Sequence, residues 1–341
     1  MPQSRDQHSG QRLLNVTDID PDVGIAAISS ERQQLTITFS PDQHISVFTA
    51  QWLRDNCYCL NKQADTRSGA FKQLWNGASF DEGLPVCAYP ALCTDPREKL
   101  TALSFVKDVG FCILTDVPSN DEQVLEVIKQ FGFVRDTNYG ALFEVRAKIN
   151  ANNLAYTNLG LGCHLDNPYR DPVPGLQLLH CLASTTEGGE SILQDGYMAV
   201  RVLQDENREH FDLLSTQFIN FRFQDKGADL SARVPLIEVN DKGETIKVRF
   251  NNRSIDTIKL APDIIRPFYT AYRHFAQILE RETLQIHFKL AAGELMLFDN
   301  TRILHGRKAY SKGGTRHLQG AYSDLDGLYS TLSILQRNTS A

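Results

Sequence analysis

The sequence predicts a mainly β protein with flanking helices: a sandwich or open barrel of short strands, preceded by a small β-rich N-terminal domain. Three observations point there. From about residue 175 onward short β-rich runs dominate, in GLQLLHCLA, ESILQD, INFRF, VPLIEV, TIKVRFNN, LQIHFKL, ELMLF and HLQGAY. One helix interrupts them, about 262–282, where Ile265, Phe268, Tyr272, Phe275 and Leu279 recur at three- and four-residue steps. A tract rich in Gly, Pro and Asp, 76–97, sets this region apart from an earlier pair of strands. Many short strands with few helices argue against a doubly wound parallel sheet.

Taken in order, the first thirty residues read as polar and irregular. QLTITFS (34–40), with its alternating apolar and polar residues, and ISVFTAQWL (45–53) then form a hairpin-like pair of strands around PDQH. The Gly/Pro-rich tract places a domain boundary near residue 95, dividing 1–95 from 96–341. Beyond it, GFCILTDVP (110–118) is a buried-type strand, and Ser119 with Glu122 three residues on gives a capping-box signal before Val124, Val127, Ile128 and Phe131 at helical spacing.

Composition narrows the partners. A chain of 341 residues with 42% apolar content supplies a sizeable core, which excludes disorder as the dominant state. Thirty-five basic against forty-one acidic residues, with no basic cluster beyond short pairs, leave no footprint for binding a nucleic-acid backbone. No uncharged apolar stretch approaches the roughly 18–20 residues that span a bilayer, and MPQSRDQHSGQRLL has no apolar signal core. A soluble, unexported protein without membrane partners is expected. Seven cysteines, at 57, 59, 87, 93, 112, 163 and 181, are odd in number and scattered, which suits a reducing cytoplasm better than a disulfide framework. Only Cys57 and Cys59 sit close enough to suggest a metal.

The informative segment is GCHLDNPY, which places His164 and Asp166 two residues apart. On an extended strand such residues project to one face, so an imidazole and a carboxylate can hold one ion from one side. A bare H-x-D also occurs in chains that bind no metal, and what adds weight here is distal. His305, in FDNTRILHGRKAY, offers a second imidazole, and Arg316 follows it by eleven residues at the start of another strand. Two imidazoles and one carboxylate on one face of an octahedron leave three positions open, the arrangement of non-haem Fe(II) oxygenases. Redox-inert zinc hydrolysis uses similar ligands but has no need of that arginine. A planar guanidinium suits the far carboxylate of a 2-oxo acid co-substrate.

From about residue 105 to 336 the chain resembles the γ-butyrobetaine dioxygenase and trimethyllysine dioxygenase family of Fe(II)/2-oxoglutarate oxygenases, closest to its γ-butyrobetaine branch. INANNLAYTNLGLGCHLDNPY, PGLQLLHCL, EGGESILQDGY, FDNTRILHGR and RHLQGAYSD carry the likeness. The resemblance implies a double-stranded β-helix, or jelly roll, with an additional N-terminal domain. It implies His164, Asp166 and His305 as iron ligands, Arg316 as the partner of the 2-oxoglutarate carboxylate, and Leu179 as a further co-substrate contact. Fe(II), 2-oxoglutarate and O2 would serve as cofactor and co-substrates, ascorbate would stimulate turnover, and succinate and CO2 would be co-products. An oxygenase of this kind hydroxylates an unactivated carbon.

The same resemblance implies a trimethylammonium substrate. A quaternary ammonium has no N–H to donate and must be held by aromatic faces; the family's cage positions fall on Tyr139, Phe143, Tyr156 and Tyr322, with Phe143 in place of a common tryptophan. Asn153 and Asn252 match the amides that approach the γ-butyrobetaine carboxylate. Arg253, beside Asn252, stands where relatives often have a small or apolar residue. On a strand it would face solvent; if it faced inward, with Lys226 and Arg222 in FRFQDKG as further candidates, it would favour a phosphonate such as 2-trimethylaminoethylphosphonate. Trimethyllysine is another substrate open to the same chemistry, and a catalytically silent small-molecule binding protein is the alternative of a different class.

The N-terminal domain departs from its relatives. Their zinc motif, W-L-R-D-N-C-x-C-x-x-C plus a histidine, survives as WLRDNCYC at 52–59, with Lys62 at the third cysteine position. A tetrahedral structural site needs four ligands, and Cys57 and Cys59 would have to recruit distant residues such as His44 and Cys87. No structural zinc is therefore expected, and this shortened domain would rely on packing around Trp52 and Trp75 or on a homodimer partner.

Overall fold

A computed structural model describes residues 4–57, 72–146, 158–311 and 313–339. The chain divides into two compact units, Met1–Asp65 and Thr66–Ala341. The division thus falls well before the boundary expected near residue 95. Residues 72–95 belong with the larger unit because their side chains and a short strand are built into its core.

In the smaller unit β1 (Gly24–Glu31), β2 (Gln34–Ser40) and β3 (Ile45–Thr49) form an antiparallel sheet in that order, and α1 (Ala50–Asp55) follows. The expected β2–β3 pair is present, with Thr36 opposite Val47. β1 lies in the stretch that reads as irregular. It is held by register with β2, as in Ile28 opposite Ile37, and its residues are almost all exposed, so it carries no alternation to read. The run ISVFTAQWL is only half strand, because Thr49 Oγ1 accepts from Trp52 N at 3.1 Å and caps α1.

In the larger unit β4 (Val86–Ala88), α2 (Tyr89–Thr94), α3 (Pro96–Asp108), β5 (Phe111–Thr115), α4 (Gln123–Ile128), β6 (Phe143–Val145) and β7 (Leu161–His164) come first. Then follow β8 (Leu176–Ser184), β9 (Ser191–Asp195), α5 (Gly196–Glu206), α6 (Arg208–Thr216), β10 (Ile219–Gln224), β11 (Asp229–Val234), β12 (Ile237–Val239) and β13 (Thr245–Val248). The chain ends with α7 (Pro262–Leu279), β14 (Gln285–Phe288), β15 (Leu295–Asp299), β16 (Ile303–Arg307), β17 (Arg316–Ser323) and α8 (Leu325–Thr339). α7 lies where the periodicity places it. The content is more helical than expected: α3, α5, α6 and α8 went unread, and the fold mixes helix with strand.

Two sheets organise this unit, one ordered β4-β5-β15-β8-β17-β6 and one ordered β14-β9-β16-β7. Every pairing within them is antiparallel except β4 with β5. Side-chain alternation decides what each face meets. On β15, Met296 and Phe298 join Leu193, Ile286 and Ile303 in the layer between the sheets, while Leu295 and Leu297 pack with the residues of α2, α3, α4 and α8. A third core, of α5, α6 and α7, backs the smaller sheet through Leu304.

Trp75, expected in the N-terminal domain, is buried between these sheets and donates its indole N–H to Val109 O at 2.7 Å. Cys87 is buried on β4 in the helix-backed core. The Ser119–Glu122 capping box does not form. Glu122 is the N-cap of α4 with φ 62° and no side-chain cap, and its N–H goes instead to Gln319 Oε1 at 2.9 Å, a long-range partner that local spacing cannot announce.

Candidate metal centre and its cavity

His164 ends β7, and His305 sits in the middle of β16 directly opposite it in the antiparallel register. Cross-strand pairing therefore brings the two imidazoles together, with ring centroids 4.4 Å apart. Asp166 lies beyond the end of β7 rather than on the strand, so the expected same-face geometry of H-x-D is not what aims it. The following residue, Asn167, has φ 55°, where the chain leaves the strand direction. The Asp166 carboxylate stands 3.4 Å from His164 Nε2 and 4.0 Å from His305 Nε2. The three ligand atoms all lie within 4.8 Å of one another.

The turn is fixed from several sides. Asn300 accepts from Asp166 N at 3.0 Å and donates to Asp166 O at 3.1 Å and Pro174 O at 3.0 Å. The buried Arg249 donates to Pro168 O and Arg170 O at 3.0 and 2.9 Å. Asp166 Oδ2 accepts from Gln177 Nε2 at 2.8 Å and from Tyr322 Oη at 2.9 Å. One carboxylate oxygen is thus spoken for, and Oδ1 is the one turned to His164 Nε2. His164 Nδ1 bonds Gly162 O at 2.9 Å, an arrangement that leaves Nε2 as the free lone pair.

The charge states suit a metal. Burial alone would raise the Asp166 carboxyl, but the His164 hydrogen bond, the charges of His305 and His164 and the Tyr322 hydroxyl outweigh it and hold the group below its ordinary value. Burial, then the His164 charge, pushes His305 down to about 3. One carboxylate with two imidazole nitrogens is an N/N/O set that matches the three-ligand face of non-haem iron sites.

These groups line a cavity of about 470 Å³ in the larger unit. Arg316, at the start of β17, and Leu179, on β8, also line it. Arg316 lies over the Tyr310 ring, 5.6 Å from its centroid, and makes no hydrogen bond or ion pair among the described residues. Burial lowers its pKa. A guanidinium in this situation is a site for an incoming anion.

Of the expected aromatic residues, Tyr139, Phe143 and Tyr322 line the cavity. Phe143 stacks on Tyr322, centroids 5.0 Å apart. Tyr156 and Asn153 lie outside the described residues, as do Cys59 and Lys62. Asn252 is not among the cavity's lining residues: it is exposed and its Oδ1 accepts from Tyr272 Oη at 2.9 Å. Its neighbours Asn251 and Arg253 line the cavity instead. Arg253 lines the cavity at its rim while staying solvent-exposed, as expected of it; desolvation lowers its pKa and the Asp166 charge opposes that. Arg222 reaches the cavity wall but is paired with Asp229 at 2.9 and 2.7 Å, and Lys226 is exposed and not a lining residue. In the smaller unit the His44 ring bonds Ser46 Oγ at 3.0 Å.

Several lining residues escaped the sequence reading. Gln177 is two residues before Leu179 on β8, and Arg307 two after His305 on β16, so period-two alternation from the named residues was the available signal. Tyr169 and Phe223 add two rings, 5.2 Å apart and stacked. Tyr169 closes the GCHLDNPY motif and donates to Asn167 Oδ1 at 2.7 Å.

Comparison with known proteins follows the same lines. Residues 88–322 match the model of the taurine catabolism dioxygenase TauD, TfdA family. The chain is 35% identical to γ-butyrobetaine dioxygenase of Homo sapiens over 96% of its own length and 86% of that protein. It is 32% identical to γ-butyrobetaine dioxygenase of Pseudomonas sp. (strain AK-1), over 96% and 85%. The mitochondrial trimethyllysine dioxygenase of Rattus norvegicus is 27% identical, over 95% and 77%. Among solved structures, a taurine dioxygenase from Burkholderia xenovorans superimposes with TM-score 0.52 at 18% identity, covering 67% of this chain and 82% of that one. An asparagine oxygenase in complex with Fe(II) superimposes with TM-score 0.51 at 16% identity, over 71% and 95%. At those identities the structural likeness speaks to the fold.

Proposed function

The chain belongs to the taurine catabolism dioxygenase TauD, TfdA family and groups with its γ-butyrobetaine and trimethyllysine dioxygenases, and from that premise we propose that it hydroxylates γ-butyrobetaine to L-carnitine. Fe(II) is the cofactor, 2-oxoglutarate and O2 are the co-substrates, and succinate and CO2 leave with the product. The observation that carries this reading is one cavity holding both the His164–Asp166–His305 group and Arg316, which has no ion-pair partner among the described residues.

In this reading His164 Nε2, Asp166 Oδ1 and His305 Nε2 hold the iron, which when bound supplies the oxidative decarboxylation of the 2-oxo acid and the oxidation of a C–H bond. Gln177 and Tyr322 keep Asp166 Oδ2 occupied so that Oδ1 alone is offered to the metal. Arg316 takes the far carboxylate of 2-oxoglutarate as a charge-assisted pair, and Leu179 packs against its methylenes. Phe143, Tyr322 and Tyr139 supply the aromatic faces for the trimethylammonium group, with Tyr169 and Phe223 behind them. The two facing sheets are read as a double-stranded β-helix, and the smaller unit as an accessory domain whose zinc motif stops at Lys62. A cytoplasmic location follows from the odd, scattered cysteines.

Arg253 favours a second substrate in the same class. With Arg307 and Arg316, and beside Arg222 that is paired with Asp229, it lines a wall that also carries the Asp166 carboxylate. A dianionic phosphonate on a trimethylammonium chain balances this excess better than a monoanionic carboxylate, and the additional α-ammonium of trimethyllysine aggravates it. The test is succinate release from protein reconstituted anaerobically with Fe(II) and then given 2-oxoglutarate and air, alone or with γ-butyrobetaine, 2-trimethylaminoethylphosphonate or trimethyllysine. γ-Butyrobetaine should stimulate release most. Stimulation by the phosphonate alone would install the second reading, and no stimulation by any of the three would reject both.

A further inference from the structure

β6 and β17 pair with Phe143 opposite Gly320, Glu144 opposite Gln319 and Val145 opposite Leu318. A Cβ built on Gly320 would stand 3.0 Å from Cε1 of Phe143 and closer still to Cε2 and Cζ. The far edge of the phenyl ring therefore occupies the volume that a side chain at 320 would fill. From that position it stacks on Tyr322, two residues along the same strand face, with centroids 5.0 Å apart and planes at 29°. Tyr322 in turn donates to Asp166 Oδ2 at 2.9 Å. The glycine, the ring and the phenol form a column that ends on the carboxylate of the metal centre.

Gly320 has no positive φ, so its backbone conformation is open to L-residues and only volume is at issue. β6 is poorly placed to retreat from a larger residue. Glu144, whose side chain points to the other face of the sheet, is bonded by His317 Nε2 and, at 2.9 Å, by Gln319 Nε2. A side chain at 320 would therefore act on the Phe143 ring, swinging it off Tyr322 and into the cavity.

We propose that Gly320 is a specificity-determining residue: by having no side chain it seats Phe143 against β17 and so sets the width of the aromatic end of the cavity for a trimethylammonium group. The proposal rests on the function argued above. A trimethylammonium head presents apolar methyl groups with a spread positive charge and is held only by close contact with several π faces. A radial shift of about 0.5–1 Å already forfeits about a quarter to a half of each dispersion contact, so the seat of one ring matters. Gly320 touches neither the metal ligands nor Arg316 in this role; it acts through Phe143.

The experiment is a double-mutant cycle of Gly320→Ala, Phe143→Leu and the pair, read as kcat and KM for γ-butyrobetaine, Kd for tetramethylammonium chloride by titration calorimetry, and thermal unfolding. Gly320→Ala should raise KM and the tetramethylammonium Kd on the order of tenfold, with a smaller change in kcat. In the Phe143→Leu background the same substitution should add less than twofold, because the ring it displaces is gone. Additive effects, or a Gly320→Ala protein with unchanged KM and Kd, would overturn the proposal. Should Gly320→Ala fail to fold, recovery of folding in the double variant supports the ring clash, and failure of the double variant as well rejects it. If the wild type shows no γ-butyrobetaine-stimulated succinate, the functional reading fails by itself, and the tetramethylammonium cycle still decides the role of Gly320.

Discussion

The hydroxyl of Tyr322 donates to Oδ2 of Asp166 at 2.9 Å, so a ring of the aromatic wall is tied directly to the metal-facing carboxylate. Tyr322→Phe keeps the ring and removes this donor, leaving Gln177 as the remaining partner of Oδ2. Loss of one outer hydrogen bond on a ligand commonly weakens metal affinity by about 10–100-fold. Because Gln177 remains, we expect about tenfold weaker Fe(II) binding with a nearly unchanged substrate KM. Anaerobic Fe(II) titration alongside steady-state kinetics separates these quantities, and a raised KM with unaltered iron binding would assign Tyr322 to the cation alone.

Arg316→Met removes a guanidinium that has no hydrogen-bond or ion-pair partner among the described residues. A charge-assisted pair is worth about 1.5–3 kcal/mol, which corresponds to roughly 10–150-fold in KM for 2-oxoglutarate. The expected result is that rise with γ-butyrobetaine KM little affected. An unchanged 2-oxoglutarate requirement would place the co-substrate elsewhere.

Arg253→Gln separates the two substrates. The side chain lines the cavity near the Asp166 charge. Turnover of 2-trimethylaminoethylphosphonate should fall by at least about tenfold in kcat/KM, with γ-butyrobetaine losing less. Equal losses for both would show that Arg253 does not read the anionic group.

A pH dependence of stability resides away from the cavity. His210 Nδ1 on α6 and His274 Nδ1 on α7 are 2.9 Å apart, so one donates and the other accepts, and the bond holds only while one of them is unprotonated. His274 Nε2 is bonded to Glu206, which also pairs with Arg281. Burial, then the His274 charge, lowers the pKa of His210 from 6.5. A histidine with a depressed folded pKa leaves the unfolded chain with the greater proton uptake. Its contribution is present above about pH 6.5 and is lost as pH falls through the lowered value. Thermal unfolding from pH 7.5 to 5 should show the loss, and His210→Gln should flatten that part of the profile; an identical slope in the variant would locate the dependence elsewhere.

What could be read in advance follows the reach of local pattern. The ligand trio and Arg316 were legible because their types and order are unusual together, and α7 because its apolar stripe is long. Asn252 was matched to a family amide by resemblance, but it is the neighbouring Asn251 that lines the cavity: β13 ends at Val248 and the segment turns, with Arg253 N bonded to Asn251 Oδ1 at 3.1 Å and Ser254 N to Asn251 O at 3.1 Å. The turn leaves both Asn252 and Arg253 exposed, with Arg253 at the cavity wall. Asp166 does lie with the two histidines, but beyond the end of β7, in a turn held by Asn300 and Arg249. Both partners are far away in sequence. The boundary near 95 failed similarly, because a Gly/Pro-rich tract marks loops, and nothing in its composition reveals that Val86–Ala88 pairs in parallel with Ile113–Thr115.

The pairing of His164 with His305 makes metal occupancy a partner of folding itself. The two imidazoles meet only once β7 and β16 have joined, so the unfolded chain holds no equivalent site, and iron would bind the native state preferentially. At a free metal concentration 100 times its Kd, such selective binding adds about 2.7 kcal/mol to the stability of the native state. Under metal starvation the apoprotein would open more often and be cleared faster by proteases. Iron supply would then govern how much of the protein a cell contains as well as how fast each copy turns over.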